Sequence, residues 1–181
     1  MTASRTGIPY LTEDRAGPPD LVAAIRARRP GGRLLNLDRV LLHSPDLARG
    51  WNGLLGAIRG PLALPPRLRE LAVMAVAALN RADYEWKQHQ GEFLAAGGTR
   101  EQLAALGDPA AAAGDASRFD EQERAALALT VEMTVQVAVS EPTMRRARSL
   151  LPDRQLVELV GTIAAYNMVS RFLVATGVEL E

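Results

Sequence analysis

The stretch PPRLRELAVMAVAALNRADYEWKQHQGEFLAAGG, residues 65–98, decides the fold. Proline at a first helical position loses no helical hydrogen bond, so a helix is predicted from Pro65-Pro66 to near Asn80. A second helix follows at once and runs to Gly97-Gly98, a pair suited to a helix C-cap. Apolar residues recur three and four apart rather than alternately, which is the period of helices and not of strands. Only a tight turn near Asn80-Arg81 separates the two, so they are expected to pack antiparallel as a hairpin.

One face of the second helix, at i, i+3, i+4 and i+7 spacing, carries Ala82, Glu85, Trp86, His89, Phe93 and Ala96. Asp83, Lys87 and Gln90 take the opposite side. Glu85 and His89 thus lie in the stripe that should face the interior, one turn apart and near enough to interact. Glu70 shares a face with Val73, Met74 and Ala77 on the first helix. It lies about ten residues before the turn and His89 about eight after it. At ~1.5 Å rise per residue, the two sit at nearly the same height across the hairpin.

Two carboxylates and an imidazole therefore converge among apolar residues. Buried charge must be paired or neutralised. Burial and mutual interaction also pull pKa values apart, which yields one acid and one base near neutral pH. Three readings fit the spacing: an acid–base site, a structural ion pair locking the hairpin, and a metal site built from Glu70, Glu85 and His89.

The rest of the chain carries the same helical grammar. Residues 1–19 are rich in turn formers and are expected to form an irregular arm, with a single helical domain from 20 to 181. Helices are expected from Asp20 to about Arg29, across RLLNLDRVLLHSP (33–45), and from Pro45 with Ser44 as N-cap. Thr99 and Gln102 have capping-box spacing. DPAAAAGDASRFD (108–120) reads as a connector. Further helices are expected from Glu121 to Val139, from Ser140, and from Pro152 to about Thr176. No alternating stretch of strand length occurs, so the fold class is all-α.

Composition narrows the function. The 181 residues include 21 Lys+Arg against 21 Asp+Glu, a formal net charge of +0, with 48% hydrophobic residues. The arginines at 26, 28, 29 and 33 form only a short cluster, so no nucleic-acid partner is expected. There are no cysteines, which removes disulfides, thiolate metal sites and thiol nucleophiles together. Residues 1–20 lack the apolar core of a signal peptide, and the C-terminal helix carries Glu158, Asn167 and Arg171; a cytoplasmic protein with no membrane partner is expected.

Three segments, NLDRVLLHSPDLARGWNGLL, LPPRLRELAVMAVAALNRADYEWKQHQGEFLAAGGTREQLAAL and QLVELVGTIAAYNMVSRFL, together resemble the carboxymuconolactone decarboxylase family, which includes the alkylhydroperoxidase D-like proteins. The match covers most of residues 35–173. The resemblance implies an alkylhydroperoxidase D-like helical bundle around a central antiparallel hairpin, assembled as a homo-oligomer: a trimer or hexamer, with a dimer as the other option. The peroxidase branch uses Cys-x-x-Cys-x-x-x-His with an upstream glutamate. Aligned on His89, those cysteines become Ala82 and Glu85, and the upstream glutamate becomes Glu70. An alkylhydroperoxidase-like antioxidant role therefore has no nucleophile in this chain. The decarboxylase branch has a Glu-x-x-x-His element, which Glu85 and His89 match.

That resemblance implies a lyase or isomerase working without cofactor or metal on a small carboxylated lactone or related organic acid. On that model His89 moves a proton at the substrate. Glu85 orients and tunes the imidazole, and Glu70 is a second acid–base group. The competing reading is a non-catalytic scaffold or small-molecule-binding protein, with the polar trio as structural glue. Five further residues are candidates for substrate contact: Trp86 and Trp51 as walls, with simple core as the alternative, Tyr84 near the mouth or a neighbouring subunit, and Asn167 and Arg171 on the last helix. Arg171 suits a bidentate grip on a carboxylate, or a salt bridge to a carboxylate such as Glu70 or to another subunit. His43, at a helix end, suits capping, with a pocket role left open by the family-like LLHSP.

Overall fold

The computed structural model describes residues 3–181. Ten α-helices follow in order: α1 Pro19–Arg28, α2 Asn36–Leu41, α3 Pro45–Ile58, α4 Pro66–Leu79, α5 Asp83–Ala95, α6 Arg100–Ala105, α7 Pro109–Ala112, α8 Glu121–Val135, α9 Glu141–Leu150 and α10 Asp153–Thr176. Single 3-10 turns lie at Glu13–Arg15 and Pro30–Gly32. No strand occurs among the described residues, and the chain is all-α. It forms two compact units: the chain up to Pro61 together with Phe172–Glu181, and Leu62–Arg171.

In the first unit, α3 packs on α1 and α2. Arg29 grips Asp38 with two hydrogen bonds of 2.9 and 2.6 Å, and Asp38 also accepts from the Leu35 N–H at the start of α2. That satisfies a helix-end donor and a buried carboxylate together. Trp51 is buried against Phe172, with ring centroids 5.2 Å apart. The exposed His43 does not cap through charge; its Nε2–H donates to the Pro9 carbonyl at 2.8 Å and ties down the N-terminal arm.

The second unit is organised around α4, which is buried on nearly every side from Leu68 to Ala77 and packs chiefly on α5 and α8. A helix apolar all round belongs in a core, and α4 is that helix. It ends in a Schellman motif: Ala82 N–H bonds the Ala77 carbonyl and Arg81 N–H the Ala78 carbonyl. Arg81 takes the left-handed conformation that the motif needs, φ 53°. With three residues between helices, α5 must fold straight back along α4.

α5 ends the same way at Gly97, φ 94°, with Gly98 N–H on the Phe93 carbonyl. A side chain at Gly98 would lie 2.3 Å from the Phe93 ring, so the glycine lets the chain wrap over that buried aromatic. The capping box predicted at α6 is present, with Thr99 Oγ1 accepting from Gln102 N–H and Gln102 Oε1 from Thr99 N–H. Two stretches differ from the sequence reading. The 108–120 connector contains α7, capped by Asp108, and buries Phe119. α8 stops at Val135 rather than Val139, because Val137 turns to φ 66°.

Candidate acid–base site

The three ionisable residues singled out in the hairpin are all enclosed: Glu70 is 1% exposed, Glu85 2% and His89 5%. The height argument holds across the hairpin. Glu70 Oε2 lies 2.7 Å from His89 Nδ1. The second oxygen, Oε1, accepts from Arg69 Nε at 3.0 Å. Burial alone would raise the Glu70 pKa, but the hydrogen bond and charge of His89, joined by Arg69, outweigh it and hold the carboxyl below its usual range. An ionised carboxylate only accepts, so the proton in the Glu70–His89 contact sits on Nδ1. In the neutral ring the lone pair then belongs to Nε2. The ring meets Tyr166 of α10 edge to face, with centroids 5.1 Å apart.

Glu85 is the unexpected member. Its place was to orient the imidazole, but Glu70 does that across the hairpin, and both Glu85 oxygens are buried without a hydrogen-bond partner. Along one helix, side chains four apart share a face yet need not point at each other. With nothing to favour its anion, burial lifts the Glu85 carboxyl well above the usual carboxylate range. One face of α5 thus carries a carboxyl whose burial favours the neutral form and, one turn on, an imidazole polarised by a carboxylate. Sequence reasoning missed Arg69, and it placed Tyr166 on the last helix without its contact to the imidazole. The first sits next to Glu70, where helical spacing points neighbours apart, and the second comes from a helix 77 positions further on.

A structural lock explains Glu70 and His89, but not Glu85. An unpaired buried carboxyl costs on the order of 1–3 kcal/mol, and no contact among the described residues offsets it. The metal reading also weakens. Both Glu70 oxygens are engaged, one by a guanidinium, and no cluster of His, Asp or Glu suited to a metal ion occurs among the described residues.

The other candidates divide. Tyr84 is buried and Trp86 half-buried on α5. Trp51 belongs to the first unit, packed on Phe172, as the core reading had it. Asn167 is saturated: Nδ2 donates to Thr134 Oγ1 and the Ile163 carbonyl, while Oδ1 accepts from Asn80 and from Arg171. It clamps the C-terminal end of α4 to α8 and α10, which accounts for it without substrate. Arg171 is exposed, with Nη1 held by the Asn167 carbonyl and side chain; Arg69 is the arginine that meets Glu70.

Residues 45–132 match the model of the Carboxymuconolactone decarboxylase family. No curated protein sequence matches the chain. Several solved structures share the fold. An uncharacterized peroxidase-related protein from Silicibacter sp. superposes with a TM-score of 0.81 at 16% identity, over 100% of this chain and 93% of the other. A variant of the debrominase Bmp8 in complex with 2,3,4-tribromopyrrole gives 0.82 at 20% identity, over 99% and 94%. The alkylhydroperoxidase AhpD core of a peroxidase-related protein from Ralstonia eutropha gives 0.81 at 19%, over 100% and 94%. At such identities the likeness is one of fold. Residues 45–132 thus resemble the carboxymuconolactone decarboxylase family, and the chain carries the alkylhydroperoxidase-like helical fold.

Proposed function

We propose that this protein is an acid–base enzyme of the lyase or isomerase type, acting on a small enolisable organic acid or lactone. The observation that carries the reading is Glu85, a buried carboxyl with no partner of its own on the same helical face as His89. A group so placed gains its missing hydrogen bond when a ligand oxygen arrives. In the resulting mechanism His89 Nε2 takes a proton from carbon next to a carbonyl, while Glu85 donates its proton to the developing enolate oxygen. Glu70, kept ionised beside Arg69, stabilises the imidazolium that forms. Where the carbon carries a carboxylate, the bond to carbon dioxide breaks instead. Its electron pair passes to the enolate, whose oxygen Glu85 protonates; His89, which enters this branch as the imidazolium, gives its Nε2 proton to carbon as the enol returns its own to Glu85, and solvent reprotonates the ring.

The match of residues 45–132 to the decarboxylase family supports the reading, and the debrominase complex with a brominated pyrrole supports a small flat ring as the ligand shape. The chain contains no cysteine, so thiol-based peroxide reduction lacks its nucleophile. The test is a panel of small carboxylated lactones, followed for carbon dioxide release and for deuterium exchange at carbon. On a verified substrate His89→Gln lowers the rate by about 10²–10⁴-fold while circular dichroism stays native. Turnover unchanged in that variant overturns the mechanism.

A further inference from the structure

Arg29, Arg67 and Arg69 each set a largely buried side chain against a buried carboxylate. The first two show what a purely structural guanidinium does in this chain. Arg29 grips Asp38 through Nε and Nη2, and Arg67 spends Nε on Glu123 and Nη2 on Gln102. Arg69 differs. Its side chain is only 15% exposed, yet Nε alone is spent, on Glu70 Oε1 at 3.0 Å. The remaining N–H donors of the guanidinium, those on Nη1 and Nη2, meet no acceptor among the described residues. Both nitrogens reach solvent, since neither is among the buried polar atoms left unpaired. In the planar group the Nη1–Nη2 edge lies across Cζ from Nε, so it is directed away from Glu70. On the other side of that carboxylate, Oε2 holds His89 Nδ1 at 2.7 Å. A single carboxyl group therefore separates an unspent guanidinium fork from the imidazole.

On the footing of the acid–base site above, we propose that Arg69 anchors an anionic ligand: its Nη1–Nη2 edge takes the carboxylate of a small ring acid in a bidentate pair and sets the ring beside His89. The ligand carboxylate and Glu70 then lie on opposite sides of one guanidinium, which keeps the two anions apart. Glu70 positions both partners of the ligand, fixing the guanidinium with one oxygen and the imidazole with the other. A guanidinium stabilises the carboxylate it holds, whereas carbon dioxide offers it no charge. Binding energy placed there favours the ground state over loss of that group. The anchored carboxylate is therefore kept in the product, and His89 and Glu85 act on a different carbon of the ring.

Furan-2-carboxylate and its uncharged amide, furan-2-carboxamide, are the probes, titrated calorimetrically into the full chain at pH 7. The wild type binds the carboxylate at least about tenfold more tightly than the amide, as a hydrogen bond to a charged group implies. Arg69→Met brings the two within about threefold by weakening the carboxylate and sparing the amide, with circular dichroism native. Arg69→Lys keeps the charge beside Glu70 without the fork and still weakens the carboxylate at least about threefold, which covers a Met variant that fails to fold. In the chain labelled with nitrogen-15 histidine, the carboxylate moves the ring signals of His89 and leaves those of His43, which is tied to the Pro9 carbonyl. A wild type without the preference, a preference kept in Arg69→Met, a Lys variant equal to wild type, or binding that leaves the His89 signals in place overturns the proposal. Turnover is read in none of these. A preference carried by Arg69 in a protein that turns over no lactone refutes the acid–base mechanism and leaves the anchor standing.

Discussion

Glu85→Gln separates stability from activity at the site. The amide keeps the carboxyl's shape and cannot ionise. In the folded wild type, burial holds the Glu85 proton well above the ordinary range, whereas the unfolded chain releases it near 4.5. Between those limits the folded state binds the extra proton, so the Glu85 contribution is full below about pH 4.5 and declines as pH rises. The slope is about 1.4 kcal/mol per pH unit. Glu70 has the opposite sign. Its folded pKa is lowered, so its contribution is present above the unfolded value and is lost only as pH falls below it, outside a pH 5–6 window. Both proteins share Glu70 and His89, so the difference between them isolates Glu85. Urea unfolding of each at pH 5 and pH 6 should show Glu85→Gln gaining about 1.2 kcal/mol relative to wild type across that unit, since the unfolded carboxyl is still partly protonated at pH 5, with equal m-values, while activity is lost. A difference that stays flat with pH refutes the reasoning. So does a large loss of stability at pH 7, because that would mean an ionised and paired carboxylate.

Three further changes follow from the same geometry. Glu70→Gln removes the anionic acceptor shared by His89 and Arg69; urea melts at pH 7 should show a loss of about 1.5–3 kcal/mol, and turnover should fall because Nδ1 is no longer fixed as the protonated nitrogen. Arg67→Met strands the buried Glu123 carboxylate and Gln102, which Arg67 binds at 2.6 and 2.7 Å, and should cost about 3 kcal/mol in the same assay. Gly98→Ala drives a methyl into the Phe93 ring and should cost about 1–3 kcal/mol, read as a lowered Tm.

The hairpin was legible because local rules wrote it. Pro66, Gly97 and the Thr99–Gln102 box mark helix ends by satisfying or forgoing particular backbone bonds, and counting rise from the turn placed Glu70 opposite His89. α7 was missed because four alanine-rich residues carry no apolar period; Phe119, buried ten residues after Pro109, anchors that segment. The early end of α8 was illegible too, since nothing in Val137 announces a left-handed conformation. Within the site, spacing fixed which face each residue occupies but not which way its side chain reaches. Glu85 and His89 share a face, yet the imidazole turns to Glu70 on the other helix. Arg171, offered for a carboxylate, is held by Asn167, and Asn167 is consumed by Thr134 and Asn80. Those partners come from residues 33 and 87 positions away, beyond any local pattern.

The central claim is that Glu85 is a neutral acid in the folded protein at neutral pH. Carbon-13 NMR of the chain labelled at the glutamate carboxyl carbons reads this directly, with Glu85→Gln identifying the signal by its disappearance. The account predicts that the Glu85 resonance keeps the shift of a protonated carboxyl at pH 7. A Glu85 signal already at the ionised-carboxylate shift by pH 6 would contradict it.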